Sequence, residues 1–206
     1  ISPKDFVAHL EAKGVRFYTG VPCSYFKHVI NFIKDHKSSR YLIAPNEGSA
    51  LSLACGTYLG GSLPAVMIQN SGLGTLVNPA ASLSVLYKIP ALLFIIGRDY
   101  GIADEPQHEL MGKKMGELLD SLGVEHWDLP MDAPGYKQAL DRGIARMLQT
   151  RTPVAFFVKK GTKTCPEMEC CSNTTRDQAI SKLAFWTNII YFFRLILLML
   201  NVGLKL

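Results

Sequence analysis

Short apolar runs alternate with amphipathic segments along the first 160 residues, and this alternation constrains the fold more than any other feature. Six runs have the length and composition of strands. They lie at residues 15–19, 41–44, 64–69, 90–96, 124–128 and 154–158. Continuous apolar strands separated by helices predict a parallel sheet covered on both faces. The predicted fold class is therefore α/β, with three α/β/α layers around a six-stranded parallel sheet.

The segment around Glu47 shows how one predicted strand passes into a helix. The run from Arg40 to Ala44 predicts a buried strand, and Asn46 predicts the N-cap of a helix that extends to about Leu59. Glu47 would then lie in the first helical turn at the carboxyl edge of the sheet, where open α/β folds bind ligands. Small residues along this helix predict close packing against another element.

Three further loops with polar side chains are expected at the same edge. They are residues 20–24, 70–74 and 97–108. Because parallel strands end at one edge, side chains of these loops could converge on Glu47; the candidates are Ser24, Asn70, Ser71 and His108. Glycine-rich turns between strand and helix also occur without any function, so the residues alone leave both interpretations open. The spacing matches neither a dinucleotide fingerprint nor a phosphate loop.

Charge and cysteine usage exclude several function classes. Residues 1–158 hold 15 Lys and Arg against 14 Asp and Glu, whereas residues 159–206 hold 7 against 3. The globular part therefore lacks the basic surface of a nucleic-acid-binding protein. The five cysteines are odd in number, which favours a reducing compartment and a cytoplasmic location. Cys165, Cys170 and Cys171 are too few for a closed zinc site, so no metal ligands are predicted.

The character of the chain changes near residue 160. We predict a domain over residues 1–160, a linker over 161–182 and an apolar tail over 183–206. Residues 183–200 approach the ~20 residues of a membrane span, although Arg194 would be costly inside a bilayer. An aberrant C-terminus, a membrane segment and a partner-binding helix all remain open for the tail.

Five strings resemble the thiamine-diphosphate-dependent decarboxylases, and within that family the phosphonopyruvate decarboxylase type. They are Gly20-Val-Pro-x-Ser, Asn46-Glu-Gly-x-Ala, Gln69-Asn-Ser-Gly-Leu-Gly, Val77-Asn-Pro and Asp104-Glu-Pro-Gln-His. The resemblance covers about residues 1–160. Cys23 departs from the Asp expected in the phosphonopyruvate type, and the alpha chain of sulfopyruvate decarboxylase is the nearest alternative.

The resemblance implies a pyrimidine-binding (Pyr) domain of the thiamine-diphosphate-binding fold. It implies that Glu47 is catalytic and hydrogen-bonds N1′ of the cofactor's aminopyrimidine, with Asn70, Ser71 and Gly72 beside the cofactor. His108 would be the second catalytic residue and would face the substrate together with Ser24.

The resemblance also implies a carboxy-lyase that converts phosphonopyruvate, a small anionic 2-oxo acid, to phosphonoacetaldehyde and CO2. The family binds diphosphate through Mg2+ on a second domain, whose Gly-Asp-Gly-type motif is missing here. We therefore expect a diphosphate-binding domain or subunit in trans, in a homo- or hetero-oligomer. The alternatives are an alpha-type subunit of sulfopyruvate decarboxylase and a catalytically silent binding module, tethered to a membrane through residues 183–200.

Overall fold

The apolar runs form one six-stranded sheet in the computed structural model, which describes residues 1–130 and 132–159. The strands are β1 Val15–Gly20, β2 Arg40–Ile43, β3 Leu63–Gln69, β4 Leu92–Gly97, β5 Glu125–Asp128 and β6 Val154–Lys159. All pairs in the order β2-β1-β3-β4-β6-β5 are parallel. The predicted α/β class and parallel sheet are confirmed.

In the described part of the chain, six α-helices cover the two faces of this sheet. They are α1 Pro3–Ala12, α2 Lys27–Asp35, α3 Glu47–Leu59, α4 Leu73–Pro79, α5 Glu109–Ser121 and α6 Ala133–Thr150. One hydrophobic cluster packs α1, α2 and α6 on one face, and a second packs α3, α4 and α5 on the other. The three-layer prediction is therefore also confirmed.

The central strands are buried on both faces because helices cover them, as their apolar composition predicts. Every residue of β4 is buried. The expectation of a buried strand before Glu47 is wrong, however. β2 forms one edge of the sheet, and Leu42 and Ile43 are 47% and 54% exposed.

Two local details differ from the prediction. From the sequence, Ser24 is expected to cap a helix that runs to about His36. Residues Ser24–Phe26 instead form a 3-10 turn, and α2 begins at Lys27. A helix is also expected from about Thr75 to Leu86. It begins earlier, at Leu73, and changes at Pro79 into the π-helical turn Ala80–Val85. Proline lacks the N–H that a regular α-helix needs, which accounts for the change there.

The expected linker over 161–182 and the expected tail over 183–206 lie outside the described residues. Between residues 1 and 159, Met131 apart, no helix is long and apolar enough to cross a membrane.

Candidate functional site

The carboxyl edge of the sheet gathers the loops that carry the predicted site residues. The chain leaves β1 toward β2 on one side, whereas β3 lies on the other side and continues toward β4. The β1–β3 boundary is therefore a topological switch point, the place at which open α/β sheets form a ligand crevice. The segments that follow β1, β2, β3 and β4 border this crevice.

Glu47 lies at the start of α3, as predicted. The side chain of Asn46 accepts a hydrogen bond from the Ser49 N–H at 2.8 Å, so the predicted N-cap is confirmed. The Glu47 carboxyl is half-buried, and its Oε2 accepts a hydrogen bond from the Thr75 hydroxyl at 3.0 Å. Among the described residues Thr75 is the donor to this carboxyl, and Oε1 is left for another donor.

Glycine at position 72 determines how closely the loop after β3 approaches Glu47. A Cβ added to Gly72 would lie 1.9 Å from both Cδ and Oε1 of Glu47. Gly48 has a similar role, because a Cβ there would lie 2.7 Å from the Thr75 carbonyl oxygen. We call Glu47, Gly72 and Thr75 the carboxylate contact. The small residues of α3 thus allow close approach of α4, as the sequence indicated.

An open groove of about 980 Å³ continues from the carboxylate contact along α3 and α4. Its lining includes Asn46, Gly48, Ser52, Gly56 and Thr75. Ser49, Ser52 and Gly56 of α3, which the sequence predicts to pack against another element, therefore line this groove instead.

Asn70 is fully buried at the end of β3. Its amide donates to the Arg98 carbonyl oxygen at 2.7 Å and accepts from the Arg98 N–H at 3.1 Å. These bonds join the ends of β3 and β4. Ser71 is exposed, and its hydroxyl accepts a hydrogen bond from the Gln69 amide at 2.5 Å.

The segment after β4 forms what we call the charged loop, residues 98–108. Arg98 pairs with Asp104, and this hydrogen bond, opposed by burial, raises the pKa of the guanidinium. His108 follows in a short 3-10 turn and is only 8% exposed. The side chain predicted at the substrate side is therefore largely buried next to an ion pair.

Ser24 and Cys23 lie after β1. Ser24 is exposed, and no hydrogen bond of the described part of the chain joins it to Glu47, Asn70 or His108. Cys23 is half-buried, and burial raises the pKa of its thiol, which keeps it protonated. A protonated thiol is a poor nucleophile, which favours a passive role for Cys23.

The structure therefore brings Glu47 and Gly72 into direct contact and links Asn70 to the charged loop. Sequence reasoning missed Thr75, Arg98 and Asp104. Asp104 was inside one of the five strings, but nothing in the sequence indicated its partner.

Within the described residues, no group of three or more His, Cys, Asp or Glu side chains could hold a metal ion.

Residues 4–122 match the protein family described as thiamine pyrophosphate enzyme, N-terminal TPP binding domain. The chain is 42% identical over 163 residues to a phosphonopyruvate decarboxylase of Streptomyces hygroscopicus and 38% identical over 162 residues to that of Streptomyces viridochromogenes. Each match covers 78% of this chain. The chain spans only 40% and 41% of the length of these two relatives.

A second group of relatives is shorter. The alpha subunit of sulfopyruvate decarboxylase from Methanococcus maripaludis is 33% identical over 129 residues, which are 62% of this chain and 77% of that subunit. Among solved structures, benzoylformate decarboxylase from Polynucleobacter necessarius matches with a TM-score of 0.63 at 18% identity. That match covers 84% of this chain and 33% of the other, and it supports the fold alone.

Proposed function

The chain belongs to the thiamine pyrophosphate enzyme family, as its N-terminal TPP binding domain, and from this premise we propose that it is the pyrimidine-binding half of a thiamine-diphosphate-dependent 2-oxo-acid decarboxylase. The proposed reaction converts phosphonopyruvate to phosphonoacetaldehyde and CO2. The observation that carries the proposal is the Glu47 carboxyl at the sheet edge, packed directly on Gly72. The names of the two Streptomyces relatives favour the phosphonopyruvate substrate.

The polar groups at this edge fit an aminopyrimidine. Glu47 offers Oε1 for a shared proton with a ring nitrogen, while Thr75 holds Oε2. Gly72, which has no side chain, leaves room for the carboxyl in this position. When bound, thiamine diphosphate supplies the electron sink for decarboxylation, and the protein contributes orientation and proton transfer. In this proposal Glu47 holds the proton at the pyrimidine nitrogen.

The remaining predicted residues take supporting positions in the proposal. Gly72 and Ser71 lie beside the cofactor, and Asn70 shapes this turn through its bonds to Arg98. His108 and Ser24 serve the anionic substrate. A histidine can transfer protons near neutral pH, which suits this assignment for His108.

The diphosphate and its Mg2+ would bind to a second domain or subunit. This part of the proposal is supported by the coverage of the relatives, because the chain matches only two fifths of the phosphonopyruvate decarboxylases. We assign residues 1–160 to the pyrimidine-binding domain, 161–182 to a linker and 183–206 to a tail. The free thiols of Cys23 and Cys55 support a reducing compartment, the cytoplasm.

A second candidate substrate is sulfopyruvate. The chain covers 77% of the Methanococcus maripaludis alpha subunit, about three quarters of that protein, and a subunit named alpha implies a partner chain. In this alternative the chain would be the alpha-type half of a hetero-oligomer.

The full chain mixed with the diphosphate-binding region of the Streptomyces hygroscopicus enzyme tests both candidates. We expect CO2 release from phosphonopyruvate that depends on thiamine diphosphate and Mg2+. Glu47→Gln should lower turnover by at least about 10²-fold, because the carboxyl can no longer share a proton in the same way. Glu117→Gln, an exposed position of α5, should leave turnover unchanged.

Release of CO2 from sulfopyruvate instead of phosphonopyruvate would favour the second candidate. A folded chain that turns over neither substrate in this mixture would refute the decarboxylase proposal.

A further inference from the structure

The charged loop contains an ion pair that is almost completely removed from water. The guanidinium of Arg98 donates to both carboxylate oxygens of Asp104, from Nε at 2.5 Å and from Nη2 at 2.7 Å. The Asp104 side chain is 3% exposed and that of Arg98 is 18% exposed. Two parallel hydrogen bonds fix the plane of the carboxylate as well as its position.

Arg98 is itself held by residues from two other strand ends. Its guanidinium lies over the ring of Tyr25, 5.4 Å from the centroid, in the segment after β1. Its main chain makes both hydrogen bonds to the Asn70 side chain at the end of β3. The ion pair therefore has a fixed place at the carboxyl edge of the sheet, close to the proposed site.

The backbone of the loop is constrained as well. Asp99 has a φ of 53°, in the left-handed region that Asp tolerates better than most residues, and its Oδ1 accepts the Asp104 N–H at 2.8 Å. Gly112 of α5 packs on this turn, since a Cβ there would lie 2.2 Å from the Asp99 carbonyl oxygen. Both contacts set the position of Asp104.

His108 lies next to this carboxylate. Its Nδ1 is 3.6 Å from Asp104 Oδ1, and it is buried without a hydrogen-bond partner in the described part of the chain. That distance is too long for a hydrogen bond. A buried imidazole nitrogen needs a partner, however, and catalytic hydrogen bonds are often long before the complex with the substrate forms. Among the described residues, Asp104 Oδ1 is the carboxylate oxygen beside it, and this oxygen also accepts from Arg98 Nη2 and from the Glu105 N–H at 2.9 Å.

We propose that Arg98 and Asp104 are positioning residues for His108: Asp104 accepts the proton of Nδ1, so that Nε2 is the unprotonated nitrogen that exchanges a proton with the substrate. The two hydrogen bonds from the Arg98 guanidinium orient the Asp104 carboxylate for this bond. The tautomer of a histidine is set by the bond that its other nitrogen makes. This inference rests on the proposed function, because that function gives His108 its contact with the substrate.

The first test reads the tautomer without any substrate. The full chain, labelled with ¹⁵N in its histidines, is examined by two-dimensional NMR that correlates ring nitrogens with ring protons. The His108 signals are assigned by their loss in His108→Gln. We expect the neutral ring to carry its proton on Nδ1. A ring with its proton on Nε2 would overturn the proposal, and this measurement requires no variant of Arg98 or Asp104 to fold.

The second test uses variants in the active mixture described above. Asp104→Ala should remove the preference for the proton on Nδ1. It should also lower kcat by about 10²-fold, a loss typical of a missing general acid or base, and change KM little. Arg98→Lys, which keeps the charge but loses the bidentate geometry, should recover part of the activity lost in Arg98→Met. Glu105→Gln, the exposed neighbour of Asp104, should change neither the tautomer nor kcat.

The two proposals fail in different ways. An active mixture in which Asp104→Ala leaves both the tautomer and kcat unchanged would overturn the positioning role alone. A chain with the expected tautomer that shows no decarboxylation would instead refute the proposed function.

Discussion

The carboxylate contact and the charged loop lie at the same sheet edge, but different forces position them. Glu47 is placed by close packing, since Gly72 lies against its carboxyl and the Thr75 hydroxyl donates a hydrogen bond to it. His108 is placed beside a bidentate ion pair, next to a left-handed aspartate, in a loop whose Arg98 main chain forms two hydrogen bonds with the Asn70 side chain. Substitutions that add volume should therefore disturb the two regions in different ways.

The two regions differ in which atom has to move when a methyl group is added. At Gly72 the obstructing atoms belong to the end of the Glu47 side chain, which can rotate away. At Gly112 the obstructing atom is a backbone oxygen of Asp99, which cannot. The first substitution should mainly cost function, and the second should mainly cost stability.

Of the glycine substitutions, Gly72→Ala should have the largest effect on turnover. The backbone at Gly72 has φ −92° and ψ −1°, which alanine tolerates, so the fold should persist. The new methyl group must displace the Glu47 carboxyl, and a displacement of about 1 Å can reduce turnover by roughly 10²-fold. The measurement is decarboxylation in the mixture of the two domains, together with the melting temperature of the chain.

Gly74→Ala is the matched control for this substitution. It lies two residues further along, and a Cβ there would meet no atom of residues 1–130 or 132–159 within 4 Å. Equal turnover of the two variants would show that contact with Gly72 does not position Glu47.

Gly112→Ala should have the largest effect on stability. The methyl group would lie 2.2 Å from the Asp99 carbonyl oxygen, so α5 and the charged loop must separate. Overpacking of this kind costs about 1–3 kcal/mol in free energy of unfolding. Denaturant unfolding of the chain measures it.

Gly116→Ala provides the reference in the same helix, because among the described residues its Cβ would meet only the ring of His126, at 3.4 Å. Both substitutions gain helix propensity of up to about 1 kcal/mol, and this term cancels between them. Similar unfolding free energies for the two variants would contradict the close packing of the loop on α5.

The sequence predicted well those features that depend on a few neighbouring residues. The cap at Asn46 and the start of α3 at Glu47 are confirmed, since both follow from local backbone hydrogen bonding. The order of elements is also confirmed, because apolar runs of this length can be buried only as strands or helices.

Features that depend on distant residues could not be predicted. The run that forms β2 is apolar, but its position at the sheet edge follows from the connections of the other strands. Arg98 and Asp104 are both in a polar loop, where charged residues are usually solvated, and their burial depends on packing by α5 and Tyr25. The prediction that Asn70 contacts the cofactor stays a prediction, although its amide is bonded to Arg98.

Thr75→Val should have the smallest effect. The substitution keeps the shape of the side chain and removes the hydroxyl that bonds Glu47 at 3.0 Å and the Gly72 carbonyl oxygen at 2.9 Å. This hydroxyl is exposed and shares one proton between two acceptors. Its loss should therefore raise the activation free energy by about 0.5–1.5 kcal/mol, which lowers turnover by roughly 2–10-fold. Thr150→Val at the end of α6, on the opposite side of the sheet, is the control and should leave turnover unchanged.

The double variant Gly72→Ala/Thr75→Val makes this last prediction more specific. If both residues act by positioning the same carboxyl, the hydroxyl has nothing left to hold once the methyl group at position 72 has displaced Glu47. The two effects should then be less than additive, with the double variant close to Gly72→Ala alone. Additive losses would mean that Thr75 acts on turnover by a route that does not pass through Glu47, and packing alone would then determine where the carboxyl lies.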